Sequence, residues 1–220
     1  MMKRNNFPFS AVLGLNHAKT AILIVLVNPR AGGLLISGPR GIGKSTLMRS
    51  TQELIERPWR DIPVSVTEDR LFGTIDTEKA IYSGQKKLYP GIINEADQGV
   101  LYLDDANLLR EDLLDFILNI AEVGAYQLER DGLSLRCDTS FTVIAAINPE
   151  SGMLSGACLD QFGLFVNVDN IHDENTRVEI LKRTISFEKD CASFCKLWKL
   201  ENEKIKKAIH SAMSLLPKVV

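Results

Sequence analysis

Residues 32–50 read GGLLISGPRGIGKSTLMRS, and this stretch decides the fold. Leu34, Leu35 and Ile36 make a short apolar run ending at Ser37, and Gly38 to Ser45 then fit GxxxxGK[ST] without substitution. Such a loop, between a strand and a helix opening at Lys44, turns successive backbone N–H groups inward as a cradle for phosphate oxygens. Gly38, Gly41 and Gly43 allow backbone conformations that a side chain would penalise. Pro39, Arg40 and Ile42 fill the variable positions, and Thr46 carries the helix onward. On this reading Gly38 to Thr46 bind a nucleotide, with Lys44 reaching the β- and γ-phosphates and the Ser45 hydroxyl coordinating Mg²⁺. A chance match in a glycine-rich turn is the competing reading, and the strand before and helix after the loop weigh against it.

The rest of the chain is consistent with a folded α/β protein. Its 220 residues hold one large domain plus part of a second, and a 45% hydrophobic content supplies apolar surface for a core. The net charge of −2 leaves no overall electrostatic footprint for nucleic acid or an anionic membrane. Cys137, Cys158, Cys191 and Cys195 form no C-x-x-C pair and the three histidines do not cluster with them, so neither a zinc site nor a disulfide framework is indicated. Reduced thiols in a cytoplasmic protein are the expectation. Met1-Met2-Lys3-Arg4 opens like a secretory leader, but Pro8, Asn16, His17 and Lys19 interrupt any apolar segment after it. Ala21 to Val27 is apolar yet far short of the ~20 residues needed to span a bilayer, and is read as a buried helix.

Working outward, Phe7 to Ser10 reads as an extended lead-in, Ala11 to Gly14 as a turn, and Asn16 to Val27 as a helix ending before Pro29. The loop helix is expected from Lys44 to about Ile55, and Ile62 to Val66 alternates like a second strand. Thr67 to Pro90 reads as a surface insertion with a short helix at Asp76 to Tyr82, and Ile92 to Ala96 as helical. Glu111 to Val123 places Leu113, Leu114, Ile117, Leu118 and Ala121 on one helical face. Tyr126 to Arg136 alternates around Asp131-Gly132, a hairpin signal. Phe141 to Ile147 and Leu164 to Val168 read as further strands. Three helices are expected at Thr176 to Thr184, Asp190 to Trp198 and Glu201 to Leu216, which divides the chain into an α/β unit over 1–172 and a helical unit over 173–220.

Val100 to Leu103 is an apolar strand that ends in Asp104-Asp105, the Walker B arrangement that brings acidic groups to the same sheet edge as the phosphate loop. Two solvated aspartates at a turn would give the same residues. Strands alternating with helices imply a mostly parallel sheet flanked by helices, with ligands beyond the carboxyl ends of its strands. Lys44, Asp104 and Asn148 all fall at or just past such ends.

These residues resemble one family along most of the chain. FPFSAVLG from Phe7, GPRGIGKST, GTIDTEKA from Gly73, PGIINEADQGVLYLDDANLL from Pro90, LERDGLSLR from Leu128, INPESG from Ile147 and LDQFGLFVNV from Leu159 follow one another as in the AAA+ ATPase subunit of magnesium chelatase. The resemblance implies a P-loop NTPase fold of the AAA+ type with a small helical lid, of which this chain is expected to hold only the first part, without the family's downstream sensor arginine. It implies a ring of subunits, usually six, with ATP and Mg²⁺ between neighbours. It also implies a partner bearing an integrin-like domain and a large porphyrin-binding subunit, with hydrolysis driving Mg²⁺ insertion into a tetrapyrrole. By the same resemblance Asp104 holds the Mg²⁺ shell, Asp105 activates water, Asn148 orients that water as a sensor, and Leu128 to Arg136 is a hairpin facing the pore. Asn148-Pro149 could equally be a turn former.

Two positions depart from the family pattern. Its Walker B strand ends Asp-Glu where this chain has Asp104-Asp105, one methylene shorter, and a misplacement near 1 Å can cost on the order of a hundredfold in rate. Its Asp-Arg-Phe-Gly supplies an arginine to the neighbour's γ-phosphate, where this chain has Asp160-Gln161-Phe162-Gly163. A trans-acting arginine is worth roughly 10³ to 10⁵ in rate, and a neutral glutamine cannot supply its charge. Arg177 and Arg183 are the substitutes the sequence offers. The expectation is an ATPase that binds Mg-ATP well and turns over slowly without a partner. A nucleotide-dependent regulatory or chaperone-like module is the alternative, and nucleic-acid remodelling is disfavoured by the charge.

Overall fold

In the computed structural model, residues 6–75, 88–130 and 133–218 are described, excepting the side chains of Ile75, Leu88, Arg130 and Leu133. Five strands form one wholly parallel sheet: β1 (Leu34–Ser37), β2 (Trp59–Ile62), β5 (Gly99–Leu103), β8 (Phe141–Ile147) and β9 (Leu164–Asn167), in the order β2-β5-β8-β1-β9. The chain therefore adopts the α/β architecture expected. Strands β1, β5 and β8 are buried along their whole length, because helices cover both faces and every side chain must enter a core. Along β1, Leu34 and Ile36 join one apolar cluster and Leu35 the other. The first cluster packs against α1 (Asn16–Val27) and α2 (Lys44–Thr51), and the second against α5 (Glu111–Val123).

Several expected elements stand as read, among them α1, β1, α5 and the strand β8. α5 buries Leu113, Leu114, Ile117, Leu118 and Ile120, and Gly124 in the left-handed region closes it. The hairpin pairs β6 (Ala125–Arg130) with β7 (Leu133–Asp138), while its turn residues 131 and 132 lie outside the described residues.

Others are corrected. The second strand is Trp59–Ile62 and not Ile62 to Val66, because Pro63 cannot donate to a ladder and ends it. Trp59 enters one core and Ile62 the other, whereas Arg60 bonds Glu95 at the edge of the sheet. Phe9–Ala11 forms a 3₁₀ turn where an extended lead-in and a turn were expected. The 67–90 insertion contributes α3 (Glu68–Phe72) and a two-stranded pair of β3 (Gly73–Ile75) with β4 (Leu88–Pro90), and the helix expected at Asp76 to Tyr82 lies outside the described residues. α4 (Ile92–Glu95) and α6 (Gly156–Asp160) are short. The last two expected helices are one, α8 (Cys191–Leu215), paired with α7 (Glu174–Lys189). No glycine or proline interrupts residues 191–215, so nothing at Lys199 to Glu201 breaks the helix. Asp173 and Asp190 cap α7 and α8 by accepting from Thr176 N and Ser193 N.

The helical pair docks on the amino-terminal segment. Asn202 accepts from Ser10 N at 2.9 Å, and the rings of Phe7, Phe187 and Phe194 lie 5.2 to 5.7 Å apart. Among the described residues no helix is long and apolar enough to cross a membrane.

Candidate functional site

The site stands at the carboxyl edge of three strands adjacent in space, β5, β8 and β1. The register sets Leu103 beside Ala145 and Ile147 beside Ser37, so Asp104, Asn148 and the phosphate loop leave the sheet side by side. Gly38 N donates to Ile147 O at 3.2 Å, tying the loop to the base of the Asn148 turn.

Two glycines of the loop answer different demands. A Cβ on Gly38 would come within 2.6 Å of Val168 O, so the close approach of β9's end requires glycine. Gly43 has φ 98° and stands immediately before α2, a conformation that an L side chain rarely adopts. Lys44 is buried, and its ammonium donates to Gly38 O at 2.5 Å and Pro39 O at 2.9 Å. Burial pushes its pKa below 10.5, with Asp105 and Asp104 pulling the other way.

Asp104 Oδ2 accepts from Ser45 Oγ at 2.9 Å, and Asp104 Oδ1 accepts from the Tyr102 hydroxyl at 2.9 Å. Burial, reinforced by Asp104, raises the Tyr102 phenol's pKa. A serine hydroxyl beside a carboxylate is a hard oxygen pair of the kind Mg²⁺ accepts, and it flanks a loop whose amides and lysine suit a polyphosphate. The residues present thus fit Mg-ATP.

Asp105 sits in the left-handed region at φ 49° and ψ 47°, with Arg40 3.9 Å away. Aspartate tolerates that region better than most residues. Asn148 is buried at 2% exposure, where its Oδ1 accepts from Glu150 N and its Nδ2 donates to Ser151 Oγ, both at 3.2 Å. It therefore also serves as the turn former that Asn-Pro suggests. Asn107 fastens this turn by donating to Asn148 O at 3.1 Å and Gly152 O at 2.9 Å.

A cavity of about 860 Å³ opens beside the loop. Gly41, Ile42, Gly43 and Thr46 form one wall, Val12, Leu13 and Leu15 a second, and Ile171, His172 and Ile180 a third. It is assembled from segments far apart in sequence.

The two arginines offered as substitutes separate here. Arg183 bonds Glu179 and Ala11 O and stacks 4.5 Å from the Trp198 ring, so it is committed to holding the helical pair. Both Arg177 and Arg183 line the cavity of their own chain, but only Arg183 is tied down by these contacts to Glu179, Ala11 and Trp198. Gln161 is not brought to this site. It precedes β9 by three residues, and Gly163 N bonds Gly32 O at the amino end of β1, the edge opposite Lys44.

Tyr102 and Asn107 are functional candidates that sequence reading missed. Strand alternation puts Tyr102 on the same side as Asp104, a usable signal. Asn107 offers none.

Residues 33–161, more than half of the chain, match the AAA domain of the dynein-related subfamily. With the loop, the parallel sheet and the Asp104 strand, this defines a P-loop ATPase of the AAA+ class. The magnesium-chelatase 38 kDa subunit of Rhodobacter capsulatus is 35% identical over 97% of this chain and 70% of its own length. That of Cereibacter sphaeroides is 35% identical over 97% and 74%, and a magnesium-chelatase subunit ChlI homolog of Methanocaldococcus jannaschii is 33% identical over 100% and 70%. A solved structure titled as a complex between subunits BchI and BchD of magnesium chelatase superposes with a TM-score of 0.71 at 35% identity, covering 98% of this chain and 78% of that one. The chain belongs to the AAA+ ATPase subunit family of magnesium chelatase. The match to the R. capsulatus subunit runs over 246 aligned positions, so that relative holds residues inside the matched span that these 220 do not include.

Proposed function

We propose that the chain binds Mg-ATP through Gly38 to Thr46 and acts as the motor subunit of a chelatase-like complex, coupling hydrolysis to metal insertion into a tetrapyrrole. The observation that carries this is the Ser45–Asp104 hydrogen bond at the mouth of a phosphate loop, in a chain of this family. Gly41 and Gly43 keep the cradle amides turned inward, and Lys44 exchanges its carbonyl partners for phosphate oxygens. Ser45 and Asp104 would hold Mg²⁺, which when bound supplies neutralisation of phosphate charge. Asp105 accepts a proton from water, and Asn148, kept in place by Asn107, orients that water. Helices α7 and α8 serve as a lid over the cavity beside the loop, which takes the base; Ile180 and Arg177 of α7 on the cavity wall support this.

The working form is a ring, by family a hexamer, in the cytoplasm. Its partners are an integrin-domain subunit, as the neighbouring BchI–BchD complex supports, and a large porphyrin-binding subunit. In such a ring the edge bearing Gln161 lies away from its own nucleotide, which suits a role toward the neighbour's. A second reading, a nucleotide-dependent regulatory module, is favoured by Asp105 and Gln161 at the two positions where hydrolysis needs a longer acid and a cation.

Isothermal calorimetry tests the primary claim. Mg-ATP should bind the purified chain, and Lys44→Ala should weaken binding at least about a hundredfold, as expected for removing a charge-assisted phosphate contact. No heat from the unaltered chain would overturn both readings.

A further inference from the structure

Asp104 lies one residue beyond the end of β5 and is half-buried, outside the strand pairing that orders the residues before it. The terminal torsion of aspartate is broad, and an unsupported carboxylate would turn freely. Here each oxygen is claimed by a different hydroxyl, Oδ2 by Ser45 and Oδ1 by Tyr102. The two donors differ in how firmly they are held. Ser45 is in the first turn of α2 beside the phosphate loop, where its hydroxyl is needed elsewhere once nucleotide arrives. Tyr102 is 5% exposed, next to last in β5, an interior strand of the sheet, with its ring against Trp59 at 6.0 Å between centroids.

We propose that Tyr102 is a positioning residue for the metal-bearing carboxylate: its phenol O–H anchors Asp104 Oδ1 so that Oδ2 stays turned toward Ser45 and the phosphates. This rests on the Mg-ATP reading of the site. Two effects of the hydrogen bond oppose each other. It drains a little charge from the carboxylate, which alone would weaken metal binding. It also removes the freedom that Mg²⁺ would otherwise have to freeze out, which strengthens it. Partners that orient metal ligands typically contribute 10- to 100-fold in metal affinity, so orientation dominates.

The experiment measures nucleotide affinity against free Mg²⁺ for the full chain, using a fluorescent ATP analogue. In EDTA, Tyr102→Phe should bind like the unaltered chain, because Lys44 and the loop amides are intact. As Mg²⁺ is raised, the midpoint of its enhancement should move about tenfold higher in the variant. The double variant Tyr102→Phe/Asp104→Asn should have the same midpoint as Asp104→Asn alone, since Tyr102 acts only through that carboxylate. Trp59→Phe, which loosens packing around the ring but keeps the phenol, should leave the midpoint in place. An unchanged or lower midpoint in Tyr102→Phe, or an equal shift in Trp59→Phe, overturns the proposal. Binding in EDTA that fails to respond to Mg²⁺ in any form overturns the metal-site reading and Tyr102's role with it. Should Tyr102→Phe not fold, fluorotyrosine labelling of the four tyrosines gives a second measurement. One ¹⁹F signal must then shift when Mg²⁺ is added to the ATP complex and stay still in Asp104→Asn, and no shift overturns the proposal.

Discussion

At the scale of single residues, the phosphate loop keeps its whole motif, while two positions that the family resemblance assigns to hydrolysis, Asp105 in the site and Gln161 outside it, are altered. Asp105 occupies a left-handed backbone conformation beside Arg40, so its short side chain leaves from a turn that differs from an extended strand end. Gln161 is the more consequential difference, because no change of rotamer gives an amide a positive charge. Its place at the amino edge of the sheet, roughly a strand's length of 13 Å from the phosphate loop, fits action across a subunit boundary. Gln161→Arg should therefore raise turnover in the assembled homomeric ring at least tenfold, with the KM for ATP little changed, in a coupled ATPase assay at saturating Mg-ATP. Turnover that stays flat in assembled rings would count against a trans-acting role for this position. The gain should vanish on dilution below the assembly concentration.

At the scale of elements, the signals that proved legible were local ones. α5 could be read because its apolar residues recur at helical spacing and Gly124 stops it, all within fourteen residues. Ile117 on its inner face is fully buried, so Ile117→Ala should lower stability by about 2 to 5 kcal/mol, measured by urea unfolding, while folded protein keeps its ATP affinity. A loss below 1 kcal/mol would mean that this face is not packed as described. β2 was harder to read because Arg60 and Asp61 hide a strand whose two apolar ends serve opposite cores. The continuity of α8 was obscured by the polar run at 201–204, where Glu201 and Lys204 are exposed while Asn202 is buried against Ser10.

At the scale of the whole molecule, the cavity beside the phosphate loop joins regions that the chain visits near its beginning, at that loop and in its helical pair. On the proposed reading a nucleotide filling that cavity would contact α7 and the amino-terminal segment together, and Arg183 and the Phe7–Phe187 contact already couple those two. Nucleotide should accordingly promote assembly: size-exclusion chromatography with Mg-ATP should give a ring-sized species that reverts to smaller ones in EDTA. Assembly with negligible turnover would favour the regulatory module over the motor. Turnover at rates ordinary for phosphoryl-transfer enzymes, about 1 to 100 s⁻¹, in the chain alone would contradict the expectation that a partner is needed.

The amino-acid sequence by itself determined the phosphate loop, the Asp104 strand, the parallel α/β class and the family, because each is written in residues a few positions apart whose spacing is the chemistry. Only the tertiary structure decided that Tyr102 and Ser45 share one carboxylate, that Asn107 ties down the Asn148 turn, that Arg183 is spent on Trp198 and Ala11, and that Gln161 faces away from Lys44. Several of those contacts join residues 41 to 172 positions apart. Which side chains meet across such distances depends on strand order and packing, and no local spacing encodes it.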